Sequence, residues 1–264
     1  MRVKMIVAYD GTNYCGWQIQ PNGITIEQVL NEHLSRLLKE DIKVTGASRT
    51  DAGVHSLGNV CMFDTNTRMP AEKISYALNQ KLPEDIVVVD SCKVSDDFHP
   101  RFSKSRKTYE YRILNARFRN PTRRLDTYFY HYPLDTEKMS EAAKYLIGEH
   151  DFASFCNVRT NAKDTVRTVH EITIKEIPMD KFQASNWGQE NSNLENEKEI
   201  VIRVTGNGFL YNMVRIIAGT LIRVGRGFYE PEKIRDILVA KEHTSEGITA
   251  PPNGLVLVSI DYPM

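Results

Sequence analysis

Thr25-Ile26-Glu27-Gln28-Val29-Leu30-Asn31-Glu32-His33-Leu34-Ser35-Arg36-Leu37-Leu38 is the stretch on which the fold turns. Thr25 and Gln28 stand at capping-box spacing, and Ile26, Val29, Leu30, Leu34, Leu37 and Leu38 fall on one face at the helical period. A helix therefore begins at Thr25. Upstream, residues 2–9 alternate as a strand does, and the link between them holds Gly11, Asn13, Gly16, Pro21, Asn22 and Gly23, all turn formers. Downstream, residues 42–47 and 57–63 read as strands joined through 49–55, residues 70–82 as a second helix and residues 86–94 as a fourth strand. The order β-α-β-β-α-β is the ferredoxin-like arrangement that RNA-recognition modules also use.

Further along, the order recurs. Residues 107–114 and 127–132 read as strands, 137–147 as a helix, 166–177 and 200–205 as strands, 210–224 and 232–240 as helices, and 255–261 as a last strand. Two related α+β halves are expected, residues 1–100 and 101–264, joined near 95–106. Residues 183–199 are rich in Asn, Glu and Ser and poor in apolar side chains, which predicts a flexible loop between two strands.

The length of 264 residues favours two ordinary domains over one, and 41% hydrophobic with 26% charged residues is a globular composition. The four cysteines, Cys15, Cys61, Cys92 and Cys156, are widely spaced and form no C-x-x-C pair, so neither a zinc site nor a disulfide framework is indicated. The N-terminus lacks the apolar run of a signal peptide, and no stretch reaches the roughly 18 to 20 apolar residues of a membrane span. A cytoplasmic protein with no membrane partner is expected. Formal net charge is zero, yet residues 101–124 hold nine basic side chains and one acid, a net of +8. A second, acid-free stretch, 203–229, carries Arg203, Arg215, Arg223 and Arg226. Such segregation leaves room for a basic groove on a neutral chain.

Three places could carry chemistry. In Arg49-Thr50-Asp51-Ala52-Gly53, Asp before Ala-Gly is by itself an ordinary turn. With Arg49 and His55 in the same short connection, it also presents charge from a two-strand base, a common location for a catalytic side chain. Tyr109 and Tyr111 alternate on a strand beside Lys107 and Arg112, where an aromatic face suits either core packing or stacking on an unpaired base. Arg215, on the most apolar helix, neighbours Tyr211, Ala218, Gly219 and Ile222; it either snorkels to solvent or meets an anionic partner. The sequence has no metal-ligand cluster, no phosphate loop with Lys-Ser/Thr and no dinucleotide fingerprint, so a reaction without metal or cofactor is expected.

These residues stand in stretches that resemble the tRNA pseudouridine synthase A family over nearly the whole chain. Tyr9-Asp10-Gly11-Thr12-Asn13-Tyr14-Cys15-Gly16-Trp17-Gln18 is similar to that family's opening YDGTxYxGWQ pattern. Residues 48–55 are similar to its (G)RTDAGVH signature, with Ser48 in place of the usual Gly. Residues 107–113 resemble its Y-x-Y strand, 209–215 its FLxxMVR helix, and 250–255 its closing AP-x-x-GL element.

The resemblance implies isomerisation of uridine to pseudouridine at tRNA positions 38, 39 and 40, in the anticodon stem-loop, by a homodimer and without cofactor or metal. It implies Asp51 as nucleophile, Arg215 as its ionic partner, and Tyr109 as the residue that stacks on the base and assists proton removal. Arg49 would support base flipping, Leu255 and His55 would contact the substrate, and Arg101, Lys104, Arg106 and Lys107 would bind RNA. The expected architecture is α+β: two ferredoxin-like, RRM-like halves whose antiparallel sheets form a continuous mixed scaffold with a central basic cleft. The competing readings are a non-catalytic RNA-binding module of the same fold, and a carboxylate-based hydrolase, which would need a second acid opposite Asp51.

Overall fold

A computed structural model describes residues 1–157, 164–178, 197–241 and 248–263. The chain folds into two compact units, one of Met1–Thr108 with Val256–Met264 and the other of Tyr109–Leu255. Both are α+β.

In the first unit, β1 (Arg2–Tyr9) lies between β4 (Ile86–Val94) and β3 (His55–Asp64), antiparallel to each, and β2 (Thr45–Gly46) pairs antiparallel with the far side of β3. β1 alternates as its sequence does: Val3, Met5, Val7 and Tyr9 face a core closed by α1 (Ile26–Leu38) and α2 (Ala71–Asn79). The α1 cap forms, with Thr25 Oγ1 accepting from Gln28 N. The Gln28 side chain donates to Glu32. Ile26, Leu30 and Leu34 are wholly buried, and Val29, Leu37 and Leu38 pack along the edge of the same cluster. Each fully buried leucine contributes about 1.5–3 kcal/mol, which is why a 13-residue helix holds here.

The predicted strand over residues 42–47 is a correction: only Thr45 and Gly46 join the ladder. Upstream, Ile42 N donates to Ser35 Oγ at 3.0 Å and Val44 N to Asn31 Oδ1 at 2.8 Å. Polar side chains of α1 satisfy the backbone that a strand partner would otherwise have satisfied. The last strand, β10 (Leu255–Asp261), pairs parallel with β3 through Val256↔His55 and Leu257↔Ser56.

The second unit orders its strands β5-β9-β8-β7, with β5 at Arg106–Asn115, β7 at Gly148–Asp151, β8 at Val166–Pro178 and β9 at Lys198–Gly206. A short β6 (Tyr128–Tyr130) runs parallel to the end of β5. With β10 on β3, this makes two parallel pairings among the described residues, so the strands pair in mixed fashion, as expected of the scaffold, and not as purely antiparallel sheets. The chain between β5 and β6 passes through a 3₁₀ turn at Pro121–Arg123 and re-enters in the same direction. Among the described residues the unit's helices are α3 (Thr136–Lys144), α4 (Met213–Gly225) and α5 (Lys233–Ala240).

Strand β7 has no counterpart in the prediction, because Gly-Glu-His-Asp offers neither alternation nor β-branched side chains. Helix α4 starts at Met213, three residues later than the apolar pattern suggests, because Asn212 sits at φ 62°. The predicted loop over residues 183–199 falls outside the described residues as far as 196, and Lys198 and Glu199 belong to β9.

Candidate active site

Two groups of sequence motifs assemble, one in each unit. In the first, residues 9–18 brace the turn that carries Asp51. Thr50 O accepts from Trp17 N at 3.1 Å and Tyr14 O from Gly53 N at 3.3 Å, while Val54 N donates back to Asp51 O at 3.2 Å. Contact is so close that side chains are excluded: a Cβ on Gly16, whose φ is +85°, would lie 2.5 Å from Thr50 O, and one on Gly11 would lie 2.1 Å from Val54 O. The result is a carboxylate half-exposed on a fixed base, with Arg49 exposed beside it.

His55 opens β3, and its Nδ1 lies 3.1 Å from Asp10 Oδ1 and 3.2 Å from Gly11 N. Asp10 also accepts from Thr12 N at 2.9 Å and Thr12 Oγ1 at 2.6 Å. Partial burial works against the Asp10 charge. The Thr12 bonds, with the His55 ring beside them, nevertheless hold the carboxyl below its usual range.

Among the basic residues, Arg101 Nε donates to Gly46 O at 2.8 Å and Lys107 Nζ to Ala47 O at 3.0 Å, on the stretch of chain leading into the Asp51 turn. Burial, and after it the nearby Arg49 charge, lowers the Arg101 pKa. Lys104 and Arg106 are exposed.

In the second unit the other three motifs meet. Tyr109 is buried on β5 with its ring edge-on to Phe209, centroids 5.4 Å apart. Arg215 is half-buried on α4; its Nε donates to Ala250 O at 2.7 Å and its Nη1 to Asn212 Oδ1 at 3.0 Å, while Ala250 N donates to Arg215 O at 3.1 Å. The left-handed Asn212 is thus a device that aims a guanidinium. Tyr111 donates to Pro251 O at 2.9 Å, and burial keeps its phenol protonated despite Arg215. Leu255 is buried at the start of β10.

Part of the basic excess is neutralised inside this unit. Arg112 and Arg203 share Glu110, at 3.0 and 2.7 Å, and Arg123 pairs with Asp126 and Glu199. Arg119 lies over Phe129 and Arg226 over Tyr132, at 5.0 and 4.0 Å from the ring centroids. Tyr9, Gly11, Gly16, Asn59, Phe209 and Asn212 escape residue-by-residue reading, because their contribution depends on which strands and loops become neighbours.

Comparison with known proteins covers nearly the whole chain. A family model described as tRNA pseudouridine synthase matches residues 5–103 and 142–263. Curated relatives named tRNA pseudouridine synthase A are similar end to end. The protein of Thermoanaerobacter sp. (strain X514) is 47% identical over 98% of this chain and 99% of its own. That of Exiguobacterium sp. (strain ATCC BAA-1283 / AT1b) is 43% identical over 99% and 98%. That of Bacillus licheniformis is 42% identical over 99% of both. Among solved structures, a crystal structure of a Cbf5-Nop10-Gar1 complex aligns over 97% of this chain and 47% of that one at TM-score 0.32 and 13% identity, too slight a likeness to bear on the fold. The class is that of an isomerase acting as a pseudouridine synthase. The chain belongs to the tRNA pseudouridine synthase family.

Proposed function

We propose that the chain converts uridine to pseudouridine at positions 38, 39 and 40 in the anticodon stem-loop of tRNA, with Asp51 as the nucleophile. The Asp51 carboxylate attacks the uracil ring or the ribose C1′, the C1′–N1 bond breaks, the uracil turns while held, C1′ bonds to C5, and the bond to Asp51 breaks to return the carboxylate. The proton lost from C5 is matched by one gained at N1, so the product is an isomer. Arg215 pairs with Asp51 and favours its ionised form. Tyr109 stacks on the base and assists loss of the C5 proton, Leu255 provides an apolar floor, and His55 lines the substrate side of the turn. Arg49 occupies the space left when the uridine swings out of the stem. Arg101, Lys104, Arg106 and Lys107 meet phosphates in a central basic cleft between ferredoxin-like halves, residues 1–100 and 101–264, and the working form is a cytoplasmic homodimer.

The observation that carries this reading is the bracing of the Asp51 turn by residues 9–18, which holds a half-exposed carboxylate on a rigid base beside an exposed arginine. Three neighbouring uridines in different sequence contexts call for recognition by phosphates and arm shape, and the exposed Lys104 and Arg106 suit that. Incubation with unmodified tRNA transcript followed by pseudouridine mapping tests the proposal. Product at 38–40 is expected, and Asp51→Asn lowers turnover at least about 10³-fold with tRNA affinity retained. An active Asp51→Asn variant refutes the nucleophile. Binding without product in the unaltered protein makes the chain an RNA-binding module instead.

A further inference from the structure

We infer that Tyr9 and Asn59 are positioning residues for the reaction: a buried chain of hydrogen bonds from Asn59 through the Tyr9 hydroxyl to the Thr50 hydroxyl sets the direction in which Arg49 and Asp51 leave the sheet. The inference rests on the proposal that Asp51 performs the chemistry.

Asn59 lies in β3 with no exposed surface. Its Oδ1 accepts from Ser48 N at 3.3 Å and its Nδ2 donates to Ser48 O at 2.9 Å, so one side chain holds both backbone groups of the residue preceding Arg49. The same Nδ2 lies 3.4 Å from Tyr9 Oη. Tyr9 Oη in turn lies 2.8 Å from Thr50 Oγ1, on the residue following Arg49. Asn59 Nδ2 donates to the Tyr9 oxygen, and the Tyr9 and Thr50 hydroxyls share a bond in which the phenolic hydrogen or the Thr50 hydrogen bridges the two oxygens. Burial pushes this phenol up to about 12, so the hydrogen stays in place at working pH.

The contacts fall where the ladder is irregular. The β1–β3 register shifts between Val7↔Asn59 and Tyr9↔Ser56, the kind of bulge that re-aims side chains beside functional sites. Four polar residues, Tyr9, Ser48, Thr50 and Asn59, are buried together. Buried polar groups stay only where they are bonded, and a bonded set fixes one geometry where apolar packing tolerates several. That geometry clamps the residues on both sides of Arg49 while Arg49 itself remains exposed. Asp51, one residue beyond the clamp, inherits its direction.

The test compares Tyr9→Phe, Thr50→Val, the double variant and Thr50→Ser, with Asp51→Asn alongside. Steady-state turnover of tRNA transcript and thermal melting are measured for each. Tyr9→Phe and Thr50→Val should each lower kcat about tenfold or more, with KM within about twofold, as misdirection of a reacting group does. The double variant should be no slower than the slower single one, because both remove the same bond. Thr50→Ser, which keeps the hydroxyl, should recover most of the loss. If Tyr9→Phe does not fold, the Thr50→Val and Thr50→Ser pair carries the test. Unchanged kcat in the folded hydroxyl-less variants, or losses that multiply in the double, overturns the inference. An inactive Asp51→Asn beside fully active Tyr9→Phe and Thr50→Val sinks the positioning role alone. An active Asp51→Asn removes the reading beneath it.

Discussion

Asp10 shows how a single carboxylate can tie the stability of the segment bracing the Asp51 turn to pH. Its pKa lies below the ordinary 3.8 although partial burial pushes it upward, because the Thr12 hydroxyl and N–H and the His55 ring outweigh that penalty. A carboxyl whose folded pKa is depressed contributes stability that is complete above its unfolded pKa and lost as pH falls through the folded one. Asp10→Asn should therefore lower Tm most near pH 7, where the ionised carboxyl contributes in full, and the gap between the two proteins should close as pH falls from about 5 to 3. Parallel Tm profiles for the two proteins would show that the Asp10 bonds are already matched in the unfolded chain. Asp51 teaches a different lesson at this scale. Asp-Ala-Gly suits any turn, so local physics left its role open, and only the stretches around it in the chain gave it meaning. Tyr9 and Asn59 were illegible for a stronger reason: their partners are set by strand register, which no single residue announces.

At the scale of elements, the crossing of residues 9–18 under the Asp51 turn is the most constrained packing in the first unit. Gly16 combines a left-handed φ with a Cβ position 2.5 Å from a backbone oxygen, and backbone cannot step aside as a flexible side chain can. Gly16→Ala should cost about 1–3 kcal/mol, several degrees of Tm, and should lower kcat as well because the turn itself must move. A variant that loses stability and keeps kcat would show the turn to be held from elsewhere. Thr25→Ala, which removes the α1 cap and leaves the backbone bonds of Ile26 and Glu27 to Gly16 and Trp17 in place, should cost about 1 kcal/mol with kcat intact. Elements of this kind were the legible part of the fold. The strand at Arg2–Tyr9 follows from alternation, the helix start from the cap at Thr25, and the strands at Ile86–Val94 and Leu255–Asp261 from short apolar runs rich in Val. What failed did so for a local reason. Ser35 and Asn31 captured the backbone of residues 42–44, a polar edge strand at Gly148–Asp151 carried no pattern, and a left-handed Asn212 delayed α4.

For the whole molecule, the equal count of 34 basic and 34 acidic side chains conceals how the charge is used. Arg112, Arg123 and Arg203 are paired with carboxylates, and Arg101 and Lys107 hold backbone carbonyls leading into the Asp51 turn. Lys104 and Arg106 are exposed within the same basic run and are available to phosphate. A side chain that neutralises a phosphate releases a counterion, so each such contact adds roughly 0.7–0.9 to the slope of log K against log salt. Binding of tRNA should weaken steeply with salt in spite of the zero net charge. Lys104→Ala and Arg106→Ala should each reduce that slope by about 1 and weaken binding to all substrate tRNAs alike, as phosphate contacts do. Arg112→Ala, which removes a charge already matched by Glu110, should leave the slope where it was. Filter binding or fluorescence titration across about 50–200 mM salt measures all three. If Arg112→Ala changes the slope as much as Lys104→Ala, the phosphate track runs along β5 past Arg106, and the paired arginines must exchange Glu110 for RNA on binding.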